Sequence, residues 1–402
     1  MKKVVALLLA LVLVLAMAAC GQAPAADEPA AASIKIGAIL IHDENSGYDM
    51  AHIEGITKAC EALGISVEEN VTFKYNIPED ESAYDAAADL ADNGCDIIFS
   101  DSYGHQTYMA QAAEEFPETT FVACTGDMAA GTGLENLKNM FPYTFESRYV
   151  SGVVAGMKLK ELLDDGTITD PYVGYVGAYP YAEVVSGYTA FFLGIRSIVP
   201  EAHMDVQFTN SWYDPAAEGE AAKALMGRGC VIIGQHADST GAPSEVQAAY
   251  ASGKAVFSVG YNIDMLAVAP DAALTSAQNV WSVLYQYALE TFMAGKELPV
   301  DYACGIANGA QQISKLGPNV ADGTQEAVDA AWAALKDGSL QVFDTSKFTV
   351  GGETVTQAYG LDSDGDWVND TGEAIADGAF QESVLRSAPY FALDVDGITK
   401  LN

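Results

Sequence analysis

Basic residues are what this chain of 402 most lacks: Lys and Arg together number 19 against 55 Asp and Glu. With no cationic stripe to displace counterions from phosphates, nucleic acid is excluded as a partner. A small ligand, neutral or cationic, suits that charge balance better. Cysteine is sparse as well. Cys60, Cys95, Cys124, Cys230 and Cys304 stand far apart among apolar neighbours. That spacing matches neither a disulfide framework nor a zinc ligand set, so buried thiols are expected, with one bridge left open. The chain has no phosphate loop, no GxSxG elbow and no HExxH pair. Carboxylate pairs such as Asp43 and Glu44 recur throughout so acidic a sequence and single out no acid–base couple. Neither enzymatic activity nor a cofactor is expected.

Beyond the first twenty residues, no run is long and apolar enough to cross a bilayer. Those twenty are different. Lys2 and Lys3 precede the apolar run Val4 to Ala16, and Met17-Ala18-Ala19-Cys20 ends it with the small residues a signal peptidase requires. Met17 stands where a lipobox more often has leucine. Residues 1–20 therefore read as a lipoprotein signal, with Cys20 lipidated and the mature chain anchored on the outer face of a bacterial cell membrane. Residues 21–33, rich in Ala and Pro and without periodicity, read as a flexible tether.

The remaining chain is long enough for two packed cores. Its organising stretch is IKIGAILIHDENSGYDMAHIEGI at 34–56. The aliphatic run Ile34 to Ile41 suits a strand buried on both faces. A polar turn from His42 to Gly47 follows. Then Met50, Ile53, Ile56 and Cys60 recur at helical spacing, predicting an amphipathic helix. Strand, turn and helix make the first half of a βαβ unit, and ligands of open parallel sheets sit at the carboxyl ends of the strands. The pattern recurs. Asp96 to Ser100 runs into Asp101, Ser102, Tyr103, Gly104 and His105, and Thr120 to Ala123 into Cys124, Thr125, Gly126 and Asp127. After a long helix over Ser147 to Leu163, further units end in Tyr179-Pro180-Tyr181, in Asn210 to Pro215, in Gln235-His236-Ala237-Asp238 and in Gly260 to Asp264. The last strand of this second half is read at Val256 to Val259.

Two α/β halves joined by crossovers imply two lobes with a cleft between them, a design that closes on a ligand. The expected division is 34–143 with 262–295 in the first lobe, 144–261 with 296–345 in the second, and 346–402 as a strand-rich C-terminal extension. Within that extension Asp362, Asp364, Asp366, Asp370 and Glu373 fall at calcium-loop positions, but Trp367 occupies the turn position that needs glycine. A solvated acidic hairpin is the reading there.

Tyr48 and Trp212 are the leading ligand contacts, because each aromatic sits at a strand-to-helix turn rather than in a periodic stripe. A flat heterocycle clamped between two rings gains about 1–3 kcal/mol per stacked base. Tyr103 and Ser102 form a further wall. Asp238, Asp127, Asp101 and Asn262 are polar groups able to read a purine edge. His236, His42 and Asp43 are placed along the same cleft. No close-spaced ligand pair supports a metal there. Asp214, before Pro215, reads as a helix cap.

The segments GYDMAHIEG (47–55), RYVSGVVAG (148–156), NSWYDPAAEGEAAKAL (210–225), GQHADS (234–239) and VGYNIDM (259–265) together resemble the basic membrane protein (BMP) family of substrate-binding lipoproteins. The resemblance covers about residues 34 to 345. It implies a two-lobed periplasmic-binding-protein type I fold, a purine-type ligand, delivery to the permease and ATPase subunits of an ABC importer, and a monomer. Within the family, the nucleoside-binding branch carries an aspartate where this chain has Asn262, and a lysine where it has Ala277, Gln278 and Asn279. The resemblance therefore implies a free base such as adenine rather than a nucleoside. A ligand sensor docking on a membrane receptor is the alternative, with a purine-nucleoside hydrolase behind it.

Overall fold

The computed structural model describes residues 34–364, 366 and 368–402. The leader, Cys20, the tether and Trp367 lie outside them. Short runs make the strands. β1 (Ile36–Ile39), β2 (Val71–Lys74), β3 (Ile97–Ser100), β4 (Thr120–Ala123) and β5 (Leu137–Pro142) form a parallel sheet in the order 2-1-3-4-5. β1 and β3 are fully buried, but β2 at the sheet's edge is only half-buried. A second sheet repeats the order with β6 (Tyr172–Gly177), β7 (His203–Phe208), β8 (Ile232–Gln235), β9 (Phe257–Tyr261) and β10 (Ala273–Asn279). β11 (Asp301–Cys304) pairs parallel with β5, while β12 (Gln311–Ile313) runs antiparallel to β10. The expected two-lobed α/β fold is present. Among the described residues, no helix is long and apolar enough to cross a membrane.

Nine helices of ten or more residues are described: α1 (Gly47–Leu63), α2 (Glu81–Asp92), α3 (Gln106–Glu115), α4 (Thr144–Asp164), α5 (Ala182–Arg196), α6 (Pro215–Arg228), α7 (Gly241–Ala251), α8 (Trp281–Met293) and α9 (Thr324–Lys336). Helices α4 and α5 cross so closely that a Cβ on Gly152 would stand 2.1 Å from the Phe191 carbonyl. Close packing therefore requires glycine there.

Three sequence expectations need correction. The buried face of α1 is Tyr48, Asp49, His52, Gly55, Ile56, Ala59 and Cys60, whereas Met50 and Ile53 are half-buried. Gly55 lies against α8, where an added Cβ would meet Trp281 at 2.6 Å. That contact rotates the helix so that polar residues point inward. Secondly, β9 is not the last strand of its half, because β10 follows. Its small polar residues Thr275 and Ser276 are fully buried by pairing and by Ser314. Thirdly, of the segment 262–295 expected in the first lobe, β10 joins the second sheet and only α8 packs on α1. From 296–345, β11 joins the first sheet.

The chain thus crosses between sheets at three places, and buried polar side chains tie them together. Asn279 Oδ1 accepts hydrogen bonds from Thr144 Oγ1 at 2.9 Å and from Gln311 Nε2 at 2.8 Å. Ser147 Oγ donates to Gln311 Oε1 at 2.6 Å. All five cysteines from Cys60 to Cys304 are buried free thiols.

Buried carboxyls make the fold sensitive to pH. Burial raises Glu146 and Glu218 to about 7 and Glu382 to about 8, although each accepts a backbone hydrogen bond. An unfolded Glu titrates near about 4.3. Above that value the folded protein retains protons that the unfolded chain has released, so stability falls as pH rises toward the folded pKa. Buried His52 and His236, lowered to about 3 and about 4 by burial, act in the opposite direction. Their contribution is complete once pH exceeds about 6.5, the unfolded histidine value. The melting temperature is therefore expected to fall between about pH 6.5 and 8, with Glu382→Gln removing part of the slope. Scanning calorimetry across that range checks this, and a flat or rising midpoint would contradict it.

Candidate functional site

Both sheets reverse their strand order beside the first strand, between β1 and β3 in one and between β6 and β8 in the other. At such switch points the loops leaving the carboxyl ends diverge and leave a crevice. Here the two crevices face each other across one cavity of about 310 Å³, its open mouth included.

Seven of the eleven side chains expected along the cleft are at the cavity or on its wall: Tyr48, Asp101, Ser102, Tyr103, Trp212, His236 and Asp238. Tyr48 opens α1, whose N-cap Ser46 accepts a hydrogen bond from the backbone of Asp49. The Tyr48 hydroxyl donates to the Asp101 carbonyl and lies 2.9 Å from Thr125 Oγ1. Its ring meets His52 edge-on at 4.5 Å, and His52 in turn packs on Trp281 at 3.9 Å. The first aromatic wall is thus braced from behind. Trp212 provides the facing wall from the β7–α6 turn, with Tyr179 at 5.1 Å and Tyr181 at 6.0 Å. Its indole Nε1 is buried without a hydrogen-bond partner.

The other four, His42, Asp43, Asp127 and Asn262, do not line the cavity. Asp43 closes its own turn, accepting from Asn45 and Asn76, so local hydrogen bonds consume its carboxylate. Asp127 stands behind Tyr103, accepting its hydroxyl at 3.0 Å and Gln106 Nε2 at 3.1 Å. Asn262 has φ of +62°, a left-handed conformation that asparagine tolerates. Its side-chain nitrogen donates to Asp238 Oδ1 at 3.4 Å. It braces a contact residue. His42 sits nearby, 3.6 Å from Asp49 and 5.5 Å from the ring of Tyr213. Asp214 caps α6 as expected, accepting from Ala216 and Ala217.

Sequence reasoning passed over four cavity residues, Ile41, Thr125, Glu183 and Tyr261, and the arginine behind them. Glu183 holds His236 Nε2 at 3.2 Å. Arg148 is 2% exposed, stacks over Tyr261 at 3.6 Å and donates to the Gln235 carbonyl at 2.6 Å. Its Nε and second terminal nitrogen have no hydrogen-bond partner. An arginine at the head of the uncharged stretch 149–157 in α4 was the available signal for this region.

Electrostatics divide the acids. Burial, reinforced by Asp49, lifts Asp101 and Asp238 well above the usual carboxylate range. Asp49 goes the other way: burial is outweighed by hydrogen bonds from His42 and Ser46, and its pKa falls. A neutral carboxylic acid offers one donor and one acceptor side by side. Asp238 can therefore address a heterocycle edge as an amide would, whereas the Asp101 carboxyl is taken up by the Ile41 N–H at 3.1 Å and by Asp49.

The two halves touch directly. The backbone N–H of Gly47 donates to the Asp238 carbonyl at 3.0 Å, and Tyr103 and Tyr181 meet across the mouth at 6.0 Å. This is the closed arrangement. Carboxylate oxygens of half-buried Asp362 and exposed Asp364 and Asp366 gather within 4.8 Å of one another, but in the extension and not on the cavity wall.

Comparison with known proteins agrees with this geometry. Residues 38–335 match the family model Bmp, described as ABC transporter substrate-binding protein PnrA-like. A purine-binding protein of Brucella abortus is 32% identical over 313 residues, covering 77% of this chain and 83% of that protein. A Haloferax volcanii protein provisionally named an ABC transporter glucose-binding protein is 33% identical over 258 residues, 64% of this chain and 61% of its own. In fold, the chain is similar to an ABC transporter solute-binding protein of Aeropyrum pernix, with a TM-score of 0.65 at 16% identity, covering 77% and 93% of the two chains.

Proposed function

The chain belongs to the Bmp family of PnrA-like ABC transporter substrate-binding proteins, and on that premise we propose that its ligand is a purine base, with adenine favoured over adenosine. The observation that carries this reading is the pairing of two aromatic walls, Tyr48 and Trp212, with the buried carboxyl of Asp238, which burial biases toward its neutral form. Adenine presents acceptor ring nitrogens next to a donor amine, which a group with one donor and one acceptor pairs in two-point fashion. A ribose would bring hydroxyls into the cleft, and each one buried unpaired costs about 1–3 kcal/mol. Support also comes from the purine-binding relative in Brucella abortus.

Differential affinity for the closed state drives closure, and the closed protein hands its ligand to the permease outside the cytoplasm. Family and fold are those of solute-binding proteins, and no step of this reading calls for catalysis. Isothermal calorimetry with adenine, guanine, adenosine and glucose tests it. Adenine is expected to bind at least as tightly as adenosine and far more tightly than glucose. A sugar-first ranking, or adenosine well ahead of adenine, would overturn the assignment.

A further inference from the structure

The family match ends at residue 335, yet the chain beyond it is built into the fold. Phe343, Phe348, Phe380, Tyr390, Phe391 and Val395 belong to the same apolar cluster as the strands and helices around β6. Phe343 and Phe391 stack at 4.3 Å, and a final strand, Ile398–Lys400, pairs parallel with β7. The extension is therefore rooted in the second half.

From that root it reaches across. Arg386 places a terminal nitrogen 3.2 Å from Asp127 Oδ2, and each side chain is only 15% exposed. The next residue, Ser387, donates its backbone N–H to Asp301 Oδ1 at 2.6 Å. Both acceptors belong to the first half: Asp127 follows β4, and Asp301 opens β11. Arg386 is held from its own side by a hydrogen bond to the Ala388 carbonyl at 3.3 Å and by the ring of Tyr390 at 5.7 Å. Asp127 is also the residue that takes the hydroxyl of Tyr103, a wall of the cavity.

We propose that Arg386 is a positioning residue for the ligand cavity: it joins the extension to the Asp127–Tyr103 wall in the closed state and so prolongs ligand retention. A partly buried, charge-assisted hydrogen bond between two halves is made on closing and lost on opening. It shifts the equilibrium by its differential strength in the two states. The inference rests on the cavity being the ligand site, but not on the ligand being a purine.

Two measurements on the full chain separate those dependencies. The first is the distance between one exposed labelled site on each half, by energy transfer, without ligand. Arg386→Ala is expected to move the population toward the open state, Arg386→Lys to retain part of the closed fraction, and the exchange Arg386→Asp with Asp127→Arg to restore most of it. The second is adenine dissociation followed by tryptophan fluorescence. Arg386→Ala is expected to raise the dissociation rate about tenfold with little change in association. Wild type failing to bind adenine would count against the purine reading alone, since the distance measurement needs no ligand. An unchanged distance distribution in Arg386→Ala, in a variant that melts like wild type, would overturn the proposal, as would a charge exchange that restores nothing.

Discussion

Trp212→Ala is expected to weaken adenine binding about ten- to a hundredfold in calorimetry, with little change in melting temperature. The ring forms one wall of the cavity, and replacing it leaves a ligand stacked on Tyr48 alone. Its partners Tyr179 and Tyr181 stack on each other at 5.1 Å and do not need the indole to hold their place. Trp212 is only partly buried, so its loss opens no sealed core cavity. Trp212→Phe adds a sharper test. It keeps an aromatic face but removes Nε1, whose lack of a protein partner leaves it free to donate to the ligand. That variant is expected to retain most of the affinity and lose a smaller increment, of the size of one hydrogen bond. Wild-type affinity in Trp212→Ala would show that the ligand does not stack there.

Gly47→Val is expected to weaken binding roughly 5- to 150-fold by opposing closure while leaving the unliganded protein folded. The Gly47 N–H to Asp238 carbonyl bond joins the first turn of α1 to the β8 loop. A Cβ on Gly47 would lie 3.3 Å from that carbonyl and 3.3 Å from Ile263, so the two γ-methyls of valine have nowhere to go in the closed state. Overpacking of this kind costs about 1–3 kcal/mol, which corresponds to roughly 5- to 150-fold in affinity. The clash exists only when the halves meet, so the apo melting temperature should be nearly unchanged. Gly47→Ala should fall in between. Equal adenine affinity in wild type and Gly47→Val would mean that the contact plays no part in capture.

Much of this site was legible before the fold was known, for a topological reason. Ser102, Tyr103, His236 and Asp238 follow directly on buried strands, and a strand end in a parallel sheet points its next residues at the crevice. Tyr48 and Trp212 lie a few residues further on, at helix entries. What failed was the direction of individual side chains. Asn262 and Tyr261 are neighbours in one turn, and the positive φ of Asn262 aims the asparagine at Asp238 while the tyrosine faces the cavity. Glu183 sits in the first turn of α5, where an acidic residue is ordinarily explained by the helix dipole. The fold showed the same limit. Helical spacing located α1, but its close approach to α8 at Gly55 turned Asp49 and His52 inward, and no local pattern encodes a contact with a segment so distant in sequence.

The junction at Asn279 bears on how this protein moves. Three separate crossings could in principle bend independently, letting one half slide, twist or tilt against the other. Here one carbonyl oxygen receives hydrogen bonds from residues on the other two crossings, so the three are pinned near a common point. Pinning removes translational freedom and leaves chiefly rotation about an axis through the junction. Sliding of one half along the other is then resisted, which favours the loops bearing Gly47 and Asp238 meeting in one register when the cleft shuts.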